Sequence, residues 1–327
     1  METILIATDA WEPQVNGVVT TLKYLQNNIK SHNVVFITPN DFNTIYNPFY
    51  SEIRFALPSK QKIKQLIENA NPTYIHISTE GPIGYYVRQY CLKNNKKFTT
   101  SYHTKFPELL QKQLNIPAWL TRWYFKKFHN SGSGVFCATP SLKRELSMKG
   151  FKNIIDWTRG VDTELFKPAD NIKKLDPVFL YVGRVSKEKN LEAFLSLDLP
   201  GYKIVVGDGP ELNNYRNTYW DVEFVGIKKD QELVEYYQQA DVFCFPSKTD
   251  TFGLVVLEAL SCGVPVAAFP VTGPKDILTD KTGVMSDDLY QACIDCLKLQ
   301  SKDCVDLAKT YDWNVVAEQF VNSLVKI

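Results

Sequence analysis

Residues 242–261 read VFCFPSKTDTFGLVVLEALS, and this stretch decides the fold of the second half of the chain. A short apolar run ends at Phe245-Pro246, a polar turn follows, and a run of strong helix formers begins after Gly253. This order predicts a buried strand, a turn and a helix, which together form one unit of a parallel α/β sheet. The backbone N–H groups of Gly253, Leu254 and Val255 would then lie at a helix N-terminus, where anions bind.

Two carboxylates flank this predicted helix start. Asp250 lies just ahead of the helix and Glu258 lies about a turn inside it, while Phe252 completes the turn before Gly253. Beside a phosphate site, such carboxylates are better suited to binding sugar hydroxyls than to binding the phosphate itself. The alternative is that Asp250 is an ordinary helix cap and Glu258 a solvated surface residue.

A second stretch, YVGRVSKEKN over residues 181–190, carries a pair of cations. An apolar strand runs into a glycine turn, and Arg184 and Lys189 follow at a helix start. Positive side chains at a helix N-terminus oppose the helix dipole, and a bound diphosphate would explain that cost. The alternative is a solvated basic loop, which fits Lys187 better than Arg184.

Two further candidate residues lie in the first half of the chain. Gly17 follows the first strand and would let the backbone approach a phosphate closely. His103 comes just after a short strand that ends near Thr100, so it would lie at the carboxyl edge of a sheet, where ligands bind. A lone histidine can equally be structural.

Short apolar runs alternate with amphipathic stretches along the chain, which predicts an α/β protein with two doubly wound parallel sheets. Predicted strands of the two series are Ile4–Ala7, Val34–Thr38, Tyr74–Ile77 and Gly134–Ala138, and then Val178–Val182, Lys203–Val206, Glu223–Val225, Val242–Phe245 and Pro265–Ala268. The polar stretch Asp170–Pro177 predicts a linker. We expect Rossmann-like domains over residues 1–168 and 169–309, with a ligand cleft between them and a helical segment over 310–327.

Composition excludes several classes of protein. The 327 residues are 44% hydrophobic and 22% charged, with a net charge of +1, so no overall field attracts nucleic acid. No apolar run approaches the roughly 20 residues that span a bilayer. Met1-Glu2-Thr3 leads straight into a strand-like run without a basic, apolar leader, and the seven scattered cysteines suit a reducing compartment, so a cytoplasmic protein is expected.

Together these motifs resemble the retaining glycosyltransferases of family four, which have the two-domain GT-B fold. The resemblance covers nearly the whole chain. Besides the stretches quoted above, it is carried by Asn16-Gly17-Val18, Ser101-Tyr102-His103-Thr104, Arg159-Gly160-Val161-Asp162 and Gly207-Asp208-Gly209-Pro210. The last motif of the family is Glu-x7-Glu. Here its first position is Asp250, one methylene shorter than glutamate, while Glu258 keeps its place.

The resemblance implies a role for each candidate residue. Arg184 and Lys189 would hold the diphosphate and stabilise the charge that develops on it. The backbone amides of Gly17, Gly253 and Leu254 would donate further hydrogen bonds to the diphosphate. Asp250 would contact sugar hydroxyls, Glu258 the ribose, and His103 would lie beside the donor sugar. The nucleobase of the donor would bind near Val225-Gly226-Ile227. The helix that begins at Asp312-Trp313 would cross back to the first domain.

The resemblance also implies a nucleotide-sugar donor and a glycan or lipid-linked acceptor. GDP-mannose is favoured because residues 249–253, Thr-Asp-Thr-Phe-Gly, resemble the mannosyltransferase subgroup, and a UDP-sugar is the alternative. There is no Asp-x-Asp motif, and two cations are present, so neither a metal nor another cofactor is expected. No carboxylate is clearly placed for a double displacement, which favours same-face attack.

Two rival functions remain. A glycoside hydrolase would need the Asp250 and Glu258 carboxyls to flank one bond, whereas eight mostly helical residues would carry them about 10 Å apart along one helix axis. A non-catalytic nucleotide-sugar binding module is the second rival, and the aspartate at position 250 is its best support.

The aromatic and basic stretch Phe106–Asn130 suggests a further partner. Its aromatic residues alternate with arginine and lysine, a pattern typical of peripheral contact with a membrane surface. The alternative is a helix packed on the core with a basic outer face.

Overall fold

The computed structural model describes residues 1–14, 16–46, 54–103, 118–169, 176–248 and 252–327. These residues form two compact units, the first made of residues 1–158 and 314–327, the second of residues 159–313. Asp250 therefore lies outside the described residues, as do residues 104–117 and most of the linker expected at Asp170–Pro177. Within the described ranges, no helix has the length and apolar character needed to cross a bilayer.

The first unit is built on a sheet of six parallel strands in the order β2-β1-β5-β6-β7-β8. The strands are β1 (Thr3–Ala7), β2 (Asn33–Ile37), β3 (Thr44–Tyr46), β4 (Arg54–Ala56), β5 (Tyr74–Ile77), β6 (Thr99–Tyr102), β7 (Gly134–Cys137) and β8 (Ile154–Asp156), of which β3 and β4 form a separate antiparallel pair. The helices are α1 (Gly17–Asn28), α2 (Lys60–Ala70), α3 (Pro82–Lys93), α4 (Ala118–His129) and α5 (Pro140–Met148). Strands β1, β5 and β7 are apolar almost throughout because a parallel sheet is covered on both faces.

The second unit repeats this plan in the order β11-β10-β9-β12-β13-β14, again with all strands parallel. Its strands are β9 (Val178–Val182), β10 (Tyr202–Val206), β11 (Val222–Gly226), β12 (Val242–Phe245), β13 (Val266–Ala268) and β14 (Gly283–Met285). Its helices are α6 (Glu192–Leu195), α7 (Leu212–Thr218), α8 (Asp230–Gln239), α9 (Leu254–Ser261), α10 (Pro274–Ile277), α11 (Leu289–Cys296) and α12 (Ser301–Lys309). Two parallel α/β units are thus present, as the sequence predicts.

The chain order reverses direction once in each sheet. In the first unit the reversal lies between β1 and β5, and in the second it lies between β9 and β12. Loops that leave neighbouring strands in opposite directions open a crevice at this switch point, beyond the carboxyl ends of the strands. The switch point of each unit is therefore the place to look for a site.

The two units divide at Thr158–Arg159, upstream of the boundary expected at residue 168. The intervening residues pack within the second unit: the Val161 N–H donates to the Tyr311 carbonyl at 2.8 Å, and the Ser261 hydroxyl donates to the Phe166 carbonyl at 2.6 Å. These two hydrogen bonds join residues 159–168 to residues that lie about 100 or more positions further along the chain. Such long-range contacts cannot be predicted from local composition.

The C-terminal helix α13 (Trp313–Asn322) returns to the first unit with the residues that follow it. The Trp157 indole N–H donates to the Val316 carbonyl at 3.2 Å, and the Phe320 ring packs edge-on against His76 at 4.9 Å. The Ile327 N–H donates to the Thr73 carbonyl at 3.1 Å. The end of the chain thereby helps to cover the first sheet.

Candidate active site

The switch point of the second sheet brings two loops together. One loop leaves β9 and contains Gly183, Arg184 and a short 3₁₀ turn at Lys187–Lys189. The other leaves β12 at Pro246. The Asn190 side-chain amide joins them, because its Nδ2 donates to the Pro246 carbonyl at 3.0 Å. Two of the sequence-predicted stretches therefore lie side by side in the second unit.

The backbone around Arg184 is held by close packing of loop on loop. The Val185 N–H donates to the Asp208 carbonyl at 2.9 Å, and the Tyr181 hydroxyl donates to the Arg184 carbonyl at 2.9 Å. A Cβ atom on Gly207 would lie only 1.9 Å from the Gly183 carbonyl oxygen. Glycine at position 207 thus lets the loop after β10 press against the loop that carries Arg184.

Arg184 is exposed and Lys189 is partly buried, five residues apart on the same loop. Burial would raise the pKa of the neighbouring Glu188, but a hydrogen bond from Ser186 and, to a smaller extent, the charges of Arg184 and Lys189 hold that pKa below its ordinary value. Both cations therefore lie close enough to Glu188 to act on it. Lys187 belongs to a different group, because it is 80% exposed and pairs with Glu211 at 3.7 Å.

Helix α9 begins at Leu254, on the same edge of the sheet as the Arg184 loop. Gly253 is its N-cap, with φ +88°, and a glycine has no side chain to accept from the first helical amides. The N–H groups of Leu254 and Val255 belong to the first turn, which has no intrahelical acceptors. Phe252, directly before Gly253, is buried, with 7% of its surface exposed. This helix N-terminus is thus suited to an anion that comes from outside the chain.

Glu258 lies one turn into α9 and is held by a residue that sequence reasoning missed. The Tyr237 hydroxyl, on α8, donates to Glu258 Oε2 at 2.8 Å. Burial raises the pKa of Glu258 to about 7, although the hydrogen bond from Tyr237 opposes that rise. Glu258 is therefore neither a solvated surface residue nor a helix cap, and it titrates near neutrality.

The pKa of Glu258 predicts a pH-dependent stability. Between its ordinary pKa of 4.5 and about 7, the folded chain keeps a proton that the unfolded chain gives up, so stability falls as pH rises through this window. The Glu258→Gln change removes the cost of ionising a buried carboxyl group. It should therefore raise the free energy of unfolding by about 2 kcal/mol more at about pH 8 than at about pH 5. Urea unfolding of the unliganded protein measures both values.

The matched control for this prediction is Glu235→Gln on the exposed face of α8. As a surface substitution it should change the free energy of unfolding by less than about 0.5 kcal/mol at either pH. An equal gain for Glu258→Gln at both pH values would contradict the prediction.

Ile227 follows Gly226 at the carboxyl end of β11, on the same edge of the sheet as Arg184 but two strands from β9. It is 62% exposed, which leaves its side chain available to a flat ring. Lys248, which was not among the predicted site residues, lies after β12 with its Nζ 4.3 Å from the centre of the Phe269 ring. A third cation therefore stands at this edge.

The candidate residues of the first unit, Gly17 and His103, have different surroundings. Gly17 opens α1, but the Asn16 side chain already accepts from the Val18 and Val19 N–H groups at 3.0 and 3.1 Å. His103 lies after β6, with its Nε2 2.8 Å from the Ser78 hydroxyl. Both lie at the carboxyl edge of the first sheet, in a different unit from Arg184 and Lys189.

The switch point of the first sheet holds an internal carboxylate instead. Asp9 follows β1, and its oxygens accept from the Ile83 N–H at 2.7 Å and the Thr79 hydroxyl at 2.9 Å, at the start of α3. Burial raises the pKa of Asp9 to about 6 despite these bonds. The N-terminus of α3 is thus already occupied by an acidic side chain of the chain itself.

Most of the predicted site residues lie along one edge of the second sheet, with Ile227 further along that edge. These residues are Arg184, Lys189, Phe252, Gly253, Leu254, Val255 and Glu258. Sequence reasoning missed Asn190, Tyr237 and Asp9. Asn190 offered one signal, since an asparagine directly after a short turn is suited to the left-handed backbone it adopts, with φ +54°.

Comparison with known proteins shows the family and the fold of this chain. A family model described as Glycosyltransferase Family 4 matches residues 15–165, and one described as Glycosyl transferases group 1 matches residues 162–291. The sulfoquinovosyl transferase SQD2 of Arabidopsis thaliana is 28% identical over 73% of this chain and 51% of its own length, so the matched region is about half of that relative. A GDP-mannose-dependent alpha-mannosyltransferase of Mycobacterium tuberculosis is 24% identical over 86% of this chain and 83% of its own length.

A solved structure of sucrose-phosphate synthase from Thermosynechococcus elongatus superimposes with a TM-score of 0.79 over 98% of both chains, at 20% identity, which establishes a common fold. The two family models follow one another along the chain and together match residues 15–291, most of both units. The chain belongs to the family 4, group 1 glycosyltransferases and has their GT-B fold of two Rossmann-like units.

Proposed function

We propose that this chain is a retaining glycosyltransferase that transfers a hexose from a nucleotide-sugar donor, with GDP-mannose as the first candidate, to a glycan or lipid-linked acceptor. The observation that carries the proposal is the Asn190–Pro246 hydrogen bond, which holds the loop of Arg184 and Lys189 beside the loop that leads to α9. Two cations and an uncapped helix N-terminus on one sheet edge suit the diphosphate of such a donor. Family membership argues against a glycoside hydrolase.

The hard step is cleavage of the bond between the anomeric carbon and the diphosphate oxygen. Negative charge develops on the leaving diphosphate, where the Arg184 fork, the Lys189 ammonium and the α9 amides would stabilise it. In the same-face attack that we propose, the acceptor oxygen bonds to the anomeric carbon and its proton passes to the leaving phosphate oxygen. Asp250 and His103 would contact the donor sugar. The reaction requires no metal in this proposal, so turnover should persist in excess EDTA.

Nucleotide binding tests the donor assignment. GDP or UDP should raise the thermal unfolding temperature, and ADP should raise it less. A nucleotide at 100 times its Kd adds about 2.7 kcal/mol of stability. The Lys189→Ala change should remove most of the gain, whereas Lys187→Ala should keep it. Because an ionised Glu258 accepts hydrogen bonds from ribose hydroxyls, the gain should be larger above about pH 7 than below it. No shift with any nucleotide would refute the proposal.

A UDP-glucose-type hexosyltransferase is the second candidate, and the same screen separates it from a GDP-mannose enzyme by which nucleotide gives the larger shift. A non-catalytic nucleotide-sugar binding module would bind the donor without cleaving the sugar from it. Measurable turnover of the bound donor therefore argues against such a module, and binding without turnover argues for it. We also propose a cytoplasmic location, because the seven cysteines are buried thiols, as suits a reducing compartment.

A further inference from the structure

Helix α4 of the first unit presents two tryptophans to solvent. Trp119 is 71% exposed and Trp123 is 57% exposed, and Leu120 beside them is 43% exposed. The opposite face of the same helix is buried, with Phe125 at 5% and Phe128 at 1%. The sequence alone allowed the aromatic side chains of this stretch to form either a core-packed face or a surface for membrane contact. In the structure they are divided between a buried face and an exposed face of α4.

The exposed face of α4 is also basic. At 100° per residue, the exposed positions occupy an arc of about 160° with the two tryptophans near its centre. The cations are Arg122 and Lys126 on one side of the tryptophans and Lys127 on the other, where its Nζ lies 5.0 Å from the centre of the Trp123 ring. No acidic residue occurs between Ala118 and Arg144. Large apolar rings and like charges therefore share one surface.

We propose that this surface of α4 docks on an anionic lipid bilayer. Indole rings are suited to the interface between headgroups and acyl chains, and flanking cations are attracted to anionic headgroups. A second copy of this chain fits less well, because a symmetric contact would set the three cations of one copy against the same three of the other. The proposal concerns a partner of the first unit and does not depend on the donor site of the second.

Co-sedimentation of the full chain with vesicles tests the proposal, with pure phosphatidylcholine as one arm and a mixture with about 30% phosphatidylglycerol as the other. Each cation near an anionic surface adds about fivefold in affinity, so three should make binding to the anionic vesicles about 100-fold tighter. The Arg122→Gln, Lys126→Gln, Lys127→Gln variant should lose this preference. The Trp119→Ser, Trp123→Ser variant should bind neither kind of vesicle measurably.

Trp220→Ser is the matched control, since Trp220 is 89% exposed and lies in the second unit, so it should bind vesicles like the unchanged chain. Nucleotide-induced thermal shifts of each variant should stay at the unchanged value, which separates a failure here from a failure of the proposed transferase. Equal vesicle binding by the double tryptophan variant would overturn the proposal. So would a dimer, in analytical ultracentrifugation, that the double tryptophan change dissociates, or binding of a single-stranded oligonucleotide that displaces the vesicles.

Discussion

Replacing Arg184 with alanine is expected to lower the rate of donor turnover by about 100- to 1000-fold, or roughly 3–4 kcal/mol of transition-state stabilisation. The guanidinium lies two residues past the end of β9, on a loop held from two sides by Tyr181 and by the Asp208 carbonyl. A preorganised cation of this kind stabilises the leaving diphosphate most when its bond to the sugar is breaking. The loss should therefore appear mainly in kcat, with a smaller change in KM.

Lys187→Ala is the matched control for Arg184→Ala. Lys187 lies on the same loop and has the same charge, but it is directed to solvent and to Glu211. Its removal should change turnover less than about threefold, as for a surface ion pair. Equal losses for the two variants would mean that the loop needs only its net charge. A wild-type rate for Arg184→Ala would remove the main support for the proposed mechanism.

Gly207→Ala should destabilise the second unit by roughly 3–5 kcal/mol. Its φ of +140° is strained for alanine, and the new methyl would lie 1.9 Å from the Gly183 carbonyl oxygen, which is backbone and cannot rotate away. Relief would require the loop after β9 to move, and Arg184 would move with it. Urea unfolding and the nucleotide-induced thermal shift should therefore both decline.

Gly226→Ala separates backbone strain from steric contact. Gly226 also has positive φ, +74°, but nothing lies within 4 Å of the position that its Cβ would take. It should cost only about 1 kcal/mol, the penalty of a left-handed backbone for alanine. Comparable losses at both glycines would show that the packing of Gly207 on Gly183 contributes little.

Much of the fold follows from local pattern. The apolar runs at Ile4–Ala7 and Val178–Val182 became the central strands β1 and β9, because a strand covered on both faces must be apolar along its whole length. The turn at Gly253 was predictable because a run of helix formers follows it. Short edge strands such as Gly283–Met285 escaped prediction, since three residues carry no periodicity.

The contacts that complete the candidate site could not be predicted in this way. Asn190 meets Pro246 across 56 positions of sequence, and Tyr237 meets Glu258 across 21. Each contact depends on which strands become neighbours, and strand order is a property of the whole sheet. The place where the two units divide depends on similar contacts, because the segment after Arg159 is held by residues near position 311.

Asp9 makes the two halves of this chain chemically unequal. Asp9 and Arg184 occupy equivalent positions in the two sheets, because each lies two residues after the first strand of its sheet. Asp9 follows Ala7 in this way, and Arg184 follows Val182. The helices after the neighbouring strands, α3 and α9, are topological counterparts. The first has the Asp9 carboxylate at its N-terminus, whereas the second begins on the sheet edge that carries Arg184. A phosphate could bind at the N-terminus of α3 only by displacing the Asp9 carboxylate, whereas at the N-terminus of α9 it would be attracted by the nearby positive charge. The same α/β plan thus carries opposite charges at equivalent positions of its two units.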